Sequence, residues 1–183
     1  MRKIIAVVGD AESDSVKHEN AFELGKALID NGYRVQSGGK SGVMESVFEG
    51  AKASLKYKEG DTIAIVPSFN PNSANPKADI VIPTGLDLLR DAIVVSASAV
   101  VAIGGGAGTL TEIAIAWQLR KLIIAYDNVD GWSSKVAGTK IDRRVRYSDI
   151  PDDRVYGVNS AEQTIGILKN NMDKYNRIHK WLR

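Results

Sequence analysis

Gly104-Gly105-Gly106-Ala107-Gly108-Thr109-Leu110-Thr111-Glu112 holds the residue types with the most chemical consequence in this chain. Its glycines leave backbone N–H groups uncovered, and the run that follows, Ile113 to Leu119, has no glycine or proline to stop a helix. N–H groups at a helix start lie at the positive end of its dipole and form a seat for phosphate or another anion. Glu112 comes about one turn into that helix, which places a fixed acid beside a phosphorylated ligand. A carboxylate facing phosphate would be repelled by it, so the chemical reading turns Glu112 toward the sugar part of a ligand, where positive charge could develop. Thr109-x-x-Glu112 equally fits a capping box, in which the acid reaches back to the helix start.

A second loop, Gly38-Gly39-Lys40-Ser41-Gly42, also closes a strand and opens a helix. Strand C-terminal ends share one edge of an open parallel sheet, so both loops should face one crevice. Neither is a standard nucleotide fingerprint. Thr109 stands where the dinucleotide pattern needs its third glycine, and Arg34 where a P-loop needs its first. Arg90, within Leu88-Leu89-Arg90-Asp91, reads in two ways. It is either a guanidinium gripping a phosphate or carboxylate in the crevice, or an arginine that is exposed or paired with Asp87 or Asp91.

The remaining candidates read as structural. His18 and His179 are the only histidines and have no partner at metal-ligand spacing, so no metal is expected. Lys140, Arg143, Arg144 and Arg146, diluted by Asp142 and Asp149, read as a solvated loop. Lys174, Arg177, Lys180 and Arg183 suit a helix C-terminus. Trp117 and Trp132 read as packing residues, with base stacking the alternative for Trp132 beside Gly131.

The elements that must position these loops alternate in type. Apolar strands are expected at Lys3 to Val8, Tyr33 to Ser37, Thr62 to Val66, Ile80 to Ile82, Ala99 to Ile103 and Leu122 to Tyr126, with an edge strand at Arg154 to Val158. Helices are expected at Ser15 to Asn31 with Gly32 as its stop, Val43 to Ser54, Leu86 to Ala97, after the glycine loop, and Ser160 to Trp181 behind a Ser160…Gln163 capping box. This is the pattern of a three-layer α/β sandwich with a mainly parallel, Rossmann-like sheet. At 183 residues it reads as one domain. A net charge of +2 is too small to argue for nucleic acid or a membrane surface, and the absence of cysteine removes disulfides and thiolate chemistry. The first apolar run is too short for a signal peptide, so a cytoplasmic protein is expected.

Four segments together resemble the LONELY GUY family, long called "lysine decarboxylases". Gly105-Gly106-Ala107-Gly108-Thr109-Leu110-Thr111-Glu112 is similar to its PGGxGTxxE motif, and Ser37-Gly38-Gly39-Lys40-Ser41-Gly42-Val43-Met44 to its GGGxxGLM segment. Val8-Gly9-Asp10-Ala11 is similar to the family's first-strand loop, and Asn128-Val129-Asp130-Gly131-Trp132 to its N-x-x-G-aromatic turn. The resemblance spans roughly residues 3 to 135. It implies a Rossmann-like fold, a homodimer or larger assembly, and cleavage of the N-glycosidic bond of nucleoside 5′-monophosphates without metal or other cofactor. It implies a phosphate site at Gly104 to Thr109, lined further by Gly9, Asp10, Gly38, Gly39, Lys40, Gly42 and Met44, with Glu112 and Arg90 catalytic.

Two departures point elsewhere. Gly104 replaces the motif's proline, and Asp87-Leu88-Leu89-Arg90-Asp91 keeps only the arginine of the active branch's Met-His-x-Arg-Lys. Asp91 in place of lysine changes the local charge by about two, which should weaken binding of a phosphate dianion. A triple-glycine GGGxGT branch, which includes a molybdenum-cofactor carrier protein, is closer. Two expectations follow: a phosphoribohydrolase acting through Glu112 and Arg90, or a carrier for a phosphorylated nucleotide or pterin.

Overall fold

A computed structural model describes residues 2–177. His179, Lys180, Arg183 and the final turn expected up to Trp181 lie outside the described residues. Seven strands form one sheet: β1 (Ile4–Gly9), β2 (Arg34–Ser37), β3 (Thr62–Val66), β4 (Ile80–Pro83), β5 (Ala99–Ile103), β6 (Leu122–Tyr126) and β7 (Tyr156–Val158). Every neighbouring pair is parallel, in the order β4-β3-β2-β1-β5-β6-β7. The chain winds outward one way from β1 and the other way from β5, so the topological switch point lies between these two strands. A ligand crevice is expected at their C-terminal ends.

The central strands β1, β5 and β6 are apolar on both faces because helices cover both. Ile5 and Val7 of β1, with Val101, Ile103, Ile124 and Tyr126, pack beneath α1 (Ser15–Asp30), α2 (Val43–Ala53) and α6 (Ala161–Tyr175). The alternate residues Ala6, Val8, Val100, Ala102, Ile123 and Ala125 face α3 (Asp91–Val94), α4 (Ala107–Gln118) and α5 (Trp132–Val136). This is the three-layer α/β sandwich that the sequence pattern calls for.

Local signals explain most boundaries. Asp14 caps α1 by accepting from Lys17 N at 2.9 Å. Gly32, with φ +81°, ends the helix as expected, its N–H donating to Ile29 O and that of Tyr33 to Leu28 O. Ser160 accepts from Gln163 N at the start of α6, and the Gln163 side chain returns to Asn159 N.

One element departs from expectation. The stretch read as a helix from Leu86 to Ala97 is a 3₁₀ turn, Asp87–Arg90, followed by a single α-helical turn, Asp91–Val94. Left-handed backbone at Gly85 (φ +64°) and Asp87 (φ +49°) sets the entry, and the Thr84 hydroxyl takes the Leu86 N–H. Leu86, Leu88 and Leu89 then project outward, so no continuous apolar stripe is available to extend a helix. This irregular start carries Arg90 and Asp91 to the crevice.

Candidate functional site

The crevice at the switch point is a cleft of about 390 Å3 lined by Gly9, Asp10, Ala11, Lys40, Met44, Leu88, Arg90, Asp91, Gly106, Gly108, Thr109 and Glu112. Its volume is within the range of small-molecule sites. Its centre is the start of α4. Gly106 is the N-cap residue and offers no side chain to the helix, and the first helical bond runs from Leu110 N to Gly106 O. The N–H groups before Leu110 have no intrahelical acceptor, so they are available to an anion. A side chain added at Gly106 or Gly108 would meet nothing within 4 Å, so the helix start presents bare backbone to open space.

The other loop glycines shape the cleft without lining it. Gly104 (φ +65°) and Gly105 (φ +100°) adopt left-handed backbone, and side chains added there would strike Asp10 and Thr109. Gly104 N donates to Ser133 Oγ at 2.8 Å, while Gly104 O and Gly105 O accept from Ser133 N and Trp132 N. Ser133 Oγ also donates to Tyr126 O at 2.7 Å, which ties the glycine loop to the end of β6 and the start of α5. Gly131 must be a glycine because a Cβ there would lie 2.6 Å from the Gly104 carbonyl carbon. Ala107 opens α4 on its exposed side, outside the cleft lining. Gly39 and Gly42 likewise adopt positive φ, and added side chains there would strike Ala64 and the Asp10–Ala11 backbone. Gly9 lines the cleft where β1 runs closest to Ile103 O and Val43.

Arg90 reaches across the sheet edge. Its Nη1 donates to Gly38 O at 2.8 Å and to Ile65 O, so half of the guanidinium fork holds the ends of β2 and β3 together. Its Nε lies 3.5 Å from Asp91 Oδ1. The arginine therefore lines the cleft and is paired with Asp91, one of the two partners its sequence offered. Asp10 is neutralised by Lys17, whose Nζ is 2.8 Å from Oδ2, and this hydrogen bond raises the Lys17 pKa. Lys40 lines the cleft, carries no ion pair among the described residues and is exposed.

Glu112 is the most perturbed group of the cleft. Because α4 starts at Ala107, Thr109 is already inside the helix, and the capping-box reading of Thr109 and Glu112 fails. Glu112 instead turns into the cleft, only 8% exposed. Burial first, and then the charge of Asp91, push its pKa up to about 8, against the smaller opposing pull of Arg90. No hydrogen bond offsets this. Asp91 is itself raised by burial, with Arg90 pulling the other way. The role of Asp91 as a cleft residue was not legible in the sequence, where it registered as a partner for Arg90 and as a replacement for lysine.

One further expectation is revised. Arg146, read as part of a solvated basic loop, is 6% exposed. It pairs with Asp153 through Nε (2.8 Å) and Nη2 (2.5 Å), donates to Trp117 O and Lys121 O, and stacks 3.6 Å from the Trp117 ring. It thereby caps the C-terminal end of α4. Trp132 packs against the core beneath Lys135 and does not line the cleft.

Comparison with known proteins agrees with this architecture. A protein of Archaeoglobus fulgidus, described as uncharacterized, is 38% identical over 120 residues, which is 65% of this chain and 76% of that protein. The molybdenum cofactor binding protein of Rippkaea orientalis superimposes with a TM-score of 0.74 at 32% identity, over 92% of this chain and 96% of that one. The molybdenum cofactor carrier protein of Chlamydomonas reinhardtii gives a TM-score of 0.71 at 27% identity, over 92% and 97% of the two chains. The family model described as SLOG cluster4 matches residues 2–165, and this agrees with the LONELY GUY-like motifs and their triple-glycine variant. The chain belongs to the SLOG cluster4 family.

Proposed function

We propose that this protein binds a phosphorylated pterin of the molybdenum-cofactor type in the switch-point cleft and carries it without chemical change. The observation that carries the reading is the start of α4, where unpaired N–H groups and the open faces of Gly106 and Gly108 form a phosphate-sized seat. The similarity to molybdenum cofactor binding and carrier proteins over nearly the whole chain supports the choice of ligand.

The state of Glu112 favours carriage over hydrolysis. A phosphoribohydrolase would use an ionised carboxylate beside the sugar as positive charge develops there. A carboxyl that holds its proton up to about pH 8 does not supply that charge at neutral pH. A neutral acid also removes the repulsion between Glu112 and a phosphate seated one turn away.

A second copy of the chain is the proposed neighbour. Ile80 and Ile82 on edge strand β4, with Leu86, Leu88, Leu89 and Ile93, form an exposed apolar border beside the cleft, and Leu88 belongs to both. Several exposed apolar side chains on one edge of the sheet and the turn that follows it suit contact with a partner.

The test is a thermal-shift screen with 6-hydroxymethylpterin monophosphate, nucleoside monophosphates and ribose 5-phosphate, each stabilising ligand then being recovered and assayed for base release. Stabilisation by the pterin phosphate, with intact ligand recovered, is expected. Release of base from a monophosphate would establish the hydrolase instead, and no stabilisation by any phosphate would refute the phosphate seat.

A further inference from the structure

Glu112 is a buried acid with no hydrogen-bond partner, on the floor of the cleft and one turn along α4 from the unpaired N–H groups of its start. The charges around it do not balance. From the turn preceding α4 come Asp91, 6% exposed, and Arg90, whose Nε is 3.5 Å from Asp91 while its Nη1 is bound to two backbone carbonyls. Asp10, after β1, is held by Lys17, and Lys40 reaches the cleft from the loop after β2 only as an exposed side chain. With both carboxylates ionised, two negative charges would share the one partly buried cation Arg90, and a phosphate dianion would add two more. Coulomb repulsion among these charges in a partly dry site opposes that arrangement.

We propose that Glu112 binds the ligand as a neutral acid, donating its carboxyl proton to an anionic ligand oxygen seated on the α4 N–H groups, so that binding is coupled to retention or uptake of one proton. This rests on the phosphate-carrier reading and adds to it a residue role and a pH dependence. Glu112 thus acts as a third kind of phosphate donor beside the backbone and Lys40. An O–H donor aimed at an anion gives a charge-assisted hydrogen bond.

The coupling has a defined window. A phosphomonoester is already a dianion above about pH 7, because its second ionisation lies near 6. Between pH 7 and 9 the change in binding therefore reports the acid in the cleft. With a free-state pKa of about 8, Glu112 is about 90% protonated at pH 7 and about 10% at pH 9. If the complex always holds the proton, affinity falls about tenfold over that range and about 0.9 proton is taken up per ligand at pH 9.

The experiment is isothermal titration of the full chain with 6-hydroxymethylpterin monophosphate at pH 7, 8 and 9, each in two buffers of different ionisation enthalpy, with Glu112→Gln in parallel. Wild type is expected to show little proton exchange at pH 7, near-unit uptake at pH 9 and the tenfold loss of affinity. Glu112→Gln, whose amide N–H2 can still donate, is expected to bind with less than about twofold change across the range and no uptake. Wild-type binding with flat affinity and no proton uptake at pH 9 overturns the proposal and leaves the carrier reading standing. Proton release overturns it too, since Glu112 would then be accepting from the pterin ring. Uptake that persists in Glu112→Gln assigns the proton to Asp91 and refutes the role of Glu112. No binding at pH 7 by the pterin phosphate, GMP or inorganic phosphate overturns the carrier reading itself.

Discussion

Replacing Glu112 with glutamine should stabilise the fold in alkaline solution, and the size of the effect follows from where the carboxyl sits. In the unfolded chain the group titrates near 4.5, and in the folded protein burial and Asp91 move it to about 8. The folded state therefore binds the proton more tightly. That contribution to stability is fully present below pH 4.5 and is lost as pH rises through 8. The full difference corresponds to about 5 kcal/mol. Glutamine has nearly the same shape and cannot ionise, so it escapes the penalty. Urea denaturation followed through the fluorescence of buried Trp117 measures both proteins from pH 5 to pH 9. The two should differ by about 1 kcal/mol or less at pH 5, with glutamine favoured by about 4 to 5 kcal/mol at pH 9. Titrating groups that do not interact with Glu112 cancel in the difference. A difference that does not change with pH, or a less stable variant at pH 9, would refute the buried, proton-holding Glu112.

The two kinds of glycine in the loop should separate stability from binding. Gly108→Ala should leave folding unchanged or improve it by about 0.5 to 1 kcal/mol, because the position is helical and unobstructed, yet weaken ligand binding about tenfold or more as the methyl enters the cleft. Gly105→Ala should lower stability by about 1 to 3 kcal/mol, since its φ of +100° disfavours a side chain and Thr109 blocks the space; thermal melts of both variants check the contrast. Arg146→Ala leaves Asp153 buried without its partner and uncaps α4, so urea denaturation should show a loss of about 3 to 5 kcal/mol. Leu88→Glu places a charge on the exposed apolar border; sedimentation should show a smaller assembly than wild type, and an unchanged mass would remove that border as the interface.

The sheet and its helices were legible because local signals agreed with the tertiary arrangement. Runs such as Val100-Val101-Ala102-Ile103 can only be strands covered on both faces, and Asp14, Gly32 and Ser160 punctuate helices by chemistry visible in the sequence. The segment from Leu86 to Ala97 was not legible, because its apolar residues divide between core and surface: Val94 and Val95 are buried while Leu88 and Leu89 are exposed. The glycine loops could be located but not resolved internally. Which glycine faces a ligand and which turns the chain depends on partners such as Ser133 and Ala64, distant in sequence. The buried pair of Arg146 and Asp153 left no trace because it joins two positions of an irregular segment that has no periodicity to read.

The central claim is that the start of α4 holds the phosphate of a pterin ligand and that the protein returns the ligand unchanged. Parallel titrations of wild-type protein with 6-hydroxymethylpterin monophosphate and with 6-hydroxymethylpterin lacking the phosphate, followed by chromatography of the released ligand, test it most directly. The account requires saturable binding of the phosphorylated compound, at least about tenfold weaker binding of the other, and complete recovery of intact ligand. Equal affinity for the two compounds, or recovery of a cleaved product, would contradict it.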